Sequence, residues 1–213
     1  MGGNHGKVAI VSVNHSFGDS HSIYTFQNID GFTPHHLGSI TMHRVGRDGL
    51  DILDVSKHAI NPGDRCFFSF GEIDVRCHIH REATDRQRDL AEIIDALAVG
   101  YLETVASQAM PDIPFWVVSV LPPPRWERMP KHIQEDTLYP FRGSNSERAG
   151  HAVALNEAVR READARNVHY LDLHRLYSDE DNMLVPELSD GQYHIGDNYF
   201  VRRELTELGV IPC

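Results

Sequence analysis

Cysteine is scarce in this chain: Cys66, Cys77 and Cys213 form an odd set whose spacings match neither a zinc-ligand pattern nor a disulfide framework. Reduced thiols in a cytosolic setting are the expectation. No apolar run approaches the ~20 residues that a membrane-spanning helix requires, so a soluble chain is expected. The apolar stretch Val8 to Val13, after a polar, glycine-rich Met1 to Lys7, is too short for the core of a secretory signal. A cytoplasmic location follows as the expectation. Positive charge is also in deficit: 20 Lys and Arg against 31 Asp and Glu give a net charge of −11 with histidine neutral. Such a surface repels phosphate backbones and anionic lipid, which argues against nucleic-acid and membrane partners. Internal repeats and low-complexity tracts are missing too, which excludes solenoids and arrays.

What is present is the composition of an ordinary globular protein, 41% hydrophobic and 24% charged. The 213 residues suit one domain, taken here as 1–213, with a substantial core. A rhythm of strands and helices runs along it. Lys7 to Val13 reads as a buried strand followed by a turn-rich stretch, Asn14 to His21, and Ser39 to Val45 and Asp64 to Phe70 are further strand candidates. From Glu82 to Met110, apolar residues at Leu90, Ile93, Ile94, Leu97, Leu102 and Val105 follow helical spacing, ending before Pro111. Phe115 to Val120 is an apolar run stopped by Pro122, Pro123 and Pro124, as a central parallel strand would be. Beyond an irregular stretch, Arg125 to Ser144, come a helix from Ser146 to Ala165 whose start looks weaker than a proper capping box, a fifth strand from Val168 to Leu173, and a closing helix from Tyr199 to Leu208. Five short strands separated by helices predict an α/β fold with a parallel sheet covered on both faces. Its chemistry belongs just past the carboxyl ends of the strands.

Two loops stand out there. Phe17-Gly18-Asp19-Ser20-His21 places a serine beside a glycine that permits a tight turn, able to offer a hydroxyl and a backbone N–H to one carbonyl. Ser189-Asp190-Gly191-Gln192-Tyr193-His194-Ile195 offers a carboxylate and an imidazole together, as an acid orienting a histidine base would require. Taken alone, Gly-Asp-Ser is an ordinary turn, and one histidine among fourteen near an aspartate means little.

The blocks gain weight as a set. Gly18-Asp19-Ser20 resembles the first block of SGNH (GDSL-like) hydrolases, Arg44-Val45-Gly46-Arg47-Asp48 the second, Phe70-Gly71-Glu72-Ile73-Asp74 the third, and Asp190-Gly191-Gln192-Tyr193-His194 the last. The approach to the last block, Tyr170-Leu171-Asp172-Leu173 followed by Tyr177-Ser178-Asp179, is similar as well. The resemblance spans nearly the whole chain. It implies a flavodoxin-like three-layer α/β/α sandwich with a five-stranded parallel sheet, with Ser20 as nucleophile, His194 as base and Asp190 as the orienting acid. It further implies an oxyanion and substrate-binding set of Gly46, Gly71, Asp74 and Arg76, with no cofactor.

Two departures carry chemical content. The family's third block is usually Gly-x-Asn-Asp, its asparagine amide donating to the developing oxyanion, whereas Ile73 cannot donate. Losing such a donor costs on the order of 100- to 1,000-fold in rate, so either the N–H groups of Ser20 and Gly46 suffice, or a cation such as Arg76 substitutes, or catalysis is weakened. The family's acid and base normally stand three residues apart; Asp190 and His194 stand four apart.

Against an esterase stand two rivals. One is a metal site at Cys77-His78-Ile79-His80 with His35-His36, which lacks partners at a usual zinc spacing, so no metal is expected. The other is a catalytically degenerate domain that binds a glycan or a protein, motivated by Ile73. Trp116, inside a strand pattern, is expected in the core, whereas Trp126 could line a cleft. By analogy with the family, the expected partner is a small-molecule or carbohydrate ester, an O-acetylated sugar above all, cleaved or transferred through an acyl-enzyme. Oligomeric state stays open.

Overall fold

The computed structural model describes residues 12–108, 110 and 112–212. Its strands are β1 (Asn14–Gly18), β2 (Phe32–His36), β3 (Arg65–Ser69), β4 (Phe115–Val118) and β5 (His169–Leu171), all parallel in the order β2-β1-β3-β4-β5. The helices are α1 (Ser20–Phe26), α2 (Met42–Asp48), α3 (Ile79–Thr84), α4 (Leu90–Ala106), α5 (Lys131–Gln134), α6 (Asn145–Ala165), α7 (His174–Tyr177) and α8 (Tyr199–Glu207). This is the expected three-layer α/β/α arrangement.

Alternation along the strands creates the two faces. Cys66 and Phe68 of β3 and Val117 of β4 join one core with Met42 and Val45 of α2, Ile93, Leu97 and Tyr101 of α4, and Ala152 and Leu155 of α6. Their neighbours Phe67 and Val118 point the other way, into a second core with Phe26, Leu171, Tyr177, Val201 and Leu205. Burying each such side chain contributes roughly 1.5–3 kcal/mol, so both layers are held on by the sheet.

Several local expectations fail for physical reasons. Residues 7–11 of the first strand candidate lie outside the described residues, and the stretch read as turn, Asn14 to His21, instead contains β1 and the start of α1. β1 is paired on both sides, so its polar side chains are buried: His15 stands 3.4 Å from Asp64 and Asn14 accepts from Arg65 at 3.4 Å. The edge strand β2 contains Pro34, tolerated because only one side of β2 is paired. Ser39 to Val45 is not a strand: Thr41 caps α2 by accepting from the Arg44 N–H at 3.0 Å. The long helix from Glu82 is two helices, because Asp89 caps a fresh start at α4. α6 begins at Asn145, and its capping box is complete after all, made by Glu147 with Ser144, which lies outside the window read as helix.

Candidate active site

Gly18 ends β1 where a side chain would collide with the Ser69 carbonyl oxygen of β3, so only glycine lets the chain turn there. Asp19 then caps α1, accepting from the His21 N–H at 2.9 Å, and Ser20 is the first helical residue. At the far end of the chain, the loop 189–195 is closed on itself by the Ser189–Ile195 bridge and the Asp190 N–H to the His194 carbonyl at 3.0 Å.

That closure absorbs the extra residue between acid and base. Gly191 takes φ +84°, the Asp190 carboxylate accepts from the Gln192 and His194 N–H groups at 2.7 and 3.2 Å, and its second oxygen accepts from His194 Nδ1 at 2.9 Å. With Nδ1 donating, the Nε2 lone pair faces Ser20 Oγ at 2.9 Å. The three residues singled out in the two end loops therefore form one hydrogen-bonded line. Tyr24 stacks on the His194 ring at 3.9 Å between centroids, Tyr193 meets it edge-on at 4.4 Å, and His21 lies 4.8 Å away. Burial, and then the charge of His21, push the His194 pKa down to about 4 despite Asp190. The ring is thus neutral at pH 7, as a base must be.

The residues drawn from the middle blocks behave differently. Gly46 lies inside α2 against Gly100 of α4, where an added Cβ would stand 2.9 Å from the Gly100 carbonyl carbon. It is a helix-packing glycine, a correction to the oxyanion role implied by the resemblance. Asp74 is also reassigned: fully buried, it accepts from the Met42 and His43 N–H groups at 2.6 and 3.2 Å and so caps α2 from below. Burial raises its pKa to about 7, the Asp19 and Glu72 charges adding to the rise against those two hydrogen bonds. Gly71, at φ +114°, makes room for Val120 and Met42 rather than for a ligand. Arg76 is buried, 3.2 Å from Glu72, with its guanidinium over the rings of Tyr193 at 4.8 Å and Phe141 at 5.5 Å. It braces the loop that carries His194.

A glycine outside the quoted blocks follows a residue bonded to the Ser20 turn. The Leu37 N–H donates to the Gly18 carbonyl at 2.9 Å, which sets the loop after β2 beside the Ser20 turn. Gly38 follows at φ +88°. Among the described residues no acceptor is found for the Ser20 or Gly38 N–H, which leaves both available to a substrate oxygen. A glycine two residues past the end of β2 was the signal for it, hidden because Ser39 to Val45 read as the strand.

The metal rival fares no better for its donors' directions. Cys77 Sγ donates to the Ile73 carbonyl at 3.2 Å, His78 faces Arg81 at 3.1 Å, and His35 stacks on Phe17 at 4.5 Å. Trp116 stacks between Phe67 and His169 on the sheet, while Trp126 is 36% exposed beside Phe141. No helix among the described residues is long and apolar enough to cross a membrane.

No protein-family model and no curated protein matches the sequence. Solved structures do. A protein from Bacteroides fragilis described as an acylhydrolase aligns at TM-score 0.62 and 11% identity, over 93% of this chain and 86% of that one. A GDSL-like lipase from Bacteroides thetaiotaomicron aligns at 0.54 and 14%, over 94% and 87%. Est24, a carbohydrate acetylesterase from Sinorhizobium meliloti, aligns at 0.51 and 13%, over 93% and 97%. At these identities the likeness is one of fold: the chain has the fold of GDSL/SGNH hydrolases.

Proposed function

We propose that this protein is a serine ester hydrolase of the SGNH type, acting on a small acyl ester such as an O-acetylated carbohydrate. The observation that carries the reading is the unbroken line from Asp190 through His194 to Ser20, with 2.9 Å at each side-chain step. Residues from opposite ends of the sequence meet there in the order nucleophile, base and orienting acid that acyl transfer needs. The fold shared with a GDSL-like lipase and a carbohydrate acetylesterase supports it and suggests the substrate class.

In this reaction His194 Nε2 takes the Ser20 proton as Oγ attacks the ester carbonyl. The oxyanion that forms accepts from the Ser20 and Gly38 N–H groups. Collapse expels the alcohol, which takes the proton from His194, and leaves an acyl-Ser20 ester. Water, deprotonated by the same imidazole, then releases the acid; a sugar hydroxyl in place of water would make the reaction a transfer. None of these steps calls for a group the chain does not itself carry.

One observation favours a second reading, a domain that binds such a ligand without turnover: Ile73, where the family carries an oxyanion-donating asparagine, is apolar and buried. Hydrolysis of p-nitrophenyl acetate by the purified protein, against Ser20→Ala and His194→Ala, separates the two. Turnover and a single fluorophosphonate adduct on Ser20, both lost in Ser20→Ala, are expected. No adduct and no turnover above Ser20→Ala would leave the binding reading.

A further inference from the structure

Next to the proposed base lies a second imidazole that the reaction does not use. His21 is 4% exposed, and its Nε2 lies 3.0 Å from the Tyr193 carbonyl oxygen. A carbonyl has only lone pairs to offer, so Nε2 must carry a hydrogen. The opposite nitrogen, Nδ1, stands 3.3 Å from the Asp19 carboxylate, which is itself 1% exposed. A bare Nδ1 would point a lone pair at a buried carboxylate oxygen; a protonated one makes an ion pair there.

The surroundings lean the same way. From its own turn His21 faces Asp19; from the segment after β3 come Glu72 and Arg76; from the loop 189–195 come Tyr193 and His194. Three carboxylates are buried in this part of the fold, Asp19, Glu72 and Asp74, with Arg76 the buried guanidinium among them. Burial opposes a charge on His21, yet Asp19 and then Glu72 outweigh it, and its pKa lies above the ordinary 6.5. We propose that His21 is a positioning residue, a cationic imidazole that pins the Tyr193 carbonyl and so holds His194 against Ser20, while its charge sets the lower end of the pH range in which His194 works. The pinning acts one residue before the base, so it fixes the ring's distance to Ser20. The charge, 4.8 Å away, opposes a second positive charge on His194 and keeps that ring neutral into acid.

The proposal rests on His194 as base, and its test is built to separate the two. The His194 ring is titrated by NMR in wild type, His21→Gln and His21→Phe, and kcat/KM for p-nitrophenyl acetate is measured against pH for the same proteins. With the charge removed, both substitutions should raise the His194 pKa and the acid limb of kcat/KM by on the order of one pH unit. Glutamine, which can still donate to Tyr193, should keep more of the plateau kcat than phenylalanine, with KM little changed. An unmoved His194 titration in both variants overturns the proposal, as does equal kcat loss in the two. If His194 moves as expected but wild type gives no Ser20 adduct, the positioning stands and the hydrolase reading falls.

Discussion

The edge of the sheet that carries Ser20 and the segment that follows β3 are neighbours built on opposite plans. The first is made of two loops, half-open to solvent, whose side chains spend their hydrogen bonds on each other in one line ending at a free hydroxyl. The second, Gly71 to Arg76, is buried and charged, and it spends its groups on scaffolding: Asp74 on α2, Arg76 on Glu72 and on the Tyr193 ring. Forming the hydrogen-bonded line at Ser20 and bracing the helices and loop around it are therefore assigned to different elements. Ile73, which departs from the usual Gly-x-Asn-Asp block, falls on the scaffolding side, away from the hydrogen-bonded line at Ser20.

The hardest test of that division is Asp190→Asn. An amide in place of the carboxylate can hold His194 in the wrong tautomer, so kcat for p-nitrophenyl acetate should fall by roughly 1,000- to 10,000-fold with Ser20 still in place. A loss below tenfold would detach the acid from the line. Asp74 should show its effect in stability instead. Its folded pKa, about 7, lies above the ordinary 3.8, so between those values the folded chain binds a proton that the unfolded chain has lost. Stability from this group is full below about pH 4 and drains away as pH rises towards 7, by on the order of a few kcal/mol. Urea unfolding across that range should show the decline in wild type and a flatter profile in Asp74→Asn.

Gly46→Ala should cost roughly 1–3 kcal/mol by overpacking against Gly100, with fluorophosphonate labelling of Ser20 retained. Loss of labelling without loss of stability would return Gly46 to the oxyanion site. The smallest effect expected is one of near-constancy. Because His194 is held down to about 4, kcat/KM should stay almost level from pH 8 to roughly pH 5 before falling. An acid limb near the ordinary histidine value would contradict the environment described for the ring.

Legibility in the sequence followed how local each signal was. β3 and β4 were visible because runs such as Phe67-Phe68 and Val117-Val118 are apolar on both faces, and β5 fell inside the candidate Val168 to Leu173. β1 was not, because Asn14, His15 and Ser16 are polar and become strand only through pairing on both sides. The error at Ser39 to Val45 had consequences for chemistry: reading α2 as strand moved attention to Gly46 and away from Gly38. Ser20, Asp190 and His194 were readable as two short motifs, yet their distances were not, since Ser20 and His194 stand 174 positions apart in the chain.

By itself, then, the order of residues determined the alternation of strand and helix, a glycine-bearing turn before Ser20, and a loop able to bring a carboxylate to an imidazole. Those follow from periodicity, backbone sterics and short-range hydrogen bonding, which act between near neighbours in the chain. Only the tertiary structure decided that the loop carrying Gly38 lies beside the Ser20 turn, that Asp74 caps a helix, and that His21 packs beside the His194 ring. Burial and electrostatic pairing act between segments far apart in sequence, and they take their sign from what the fold brings together.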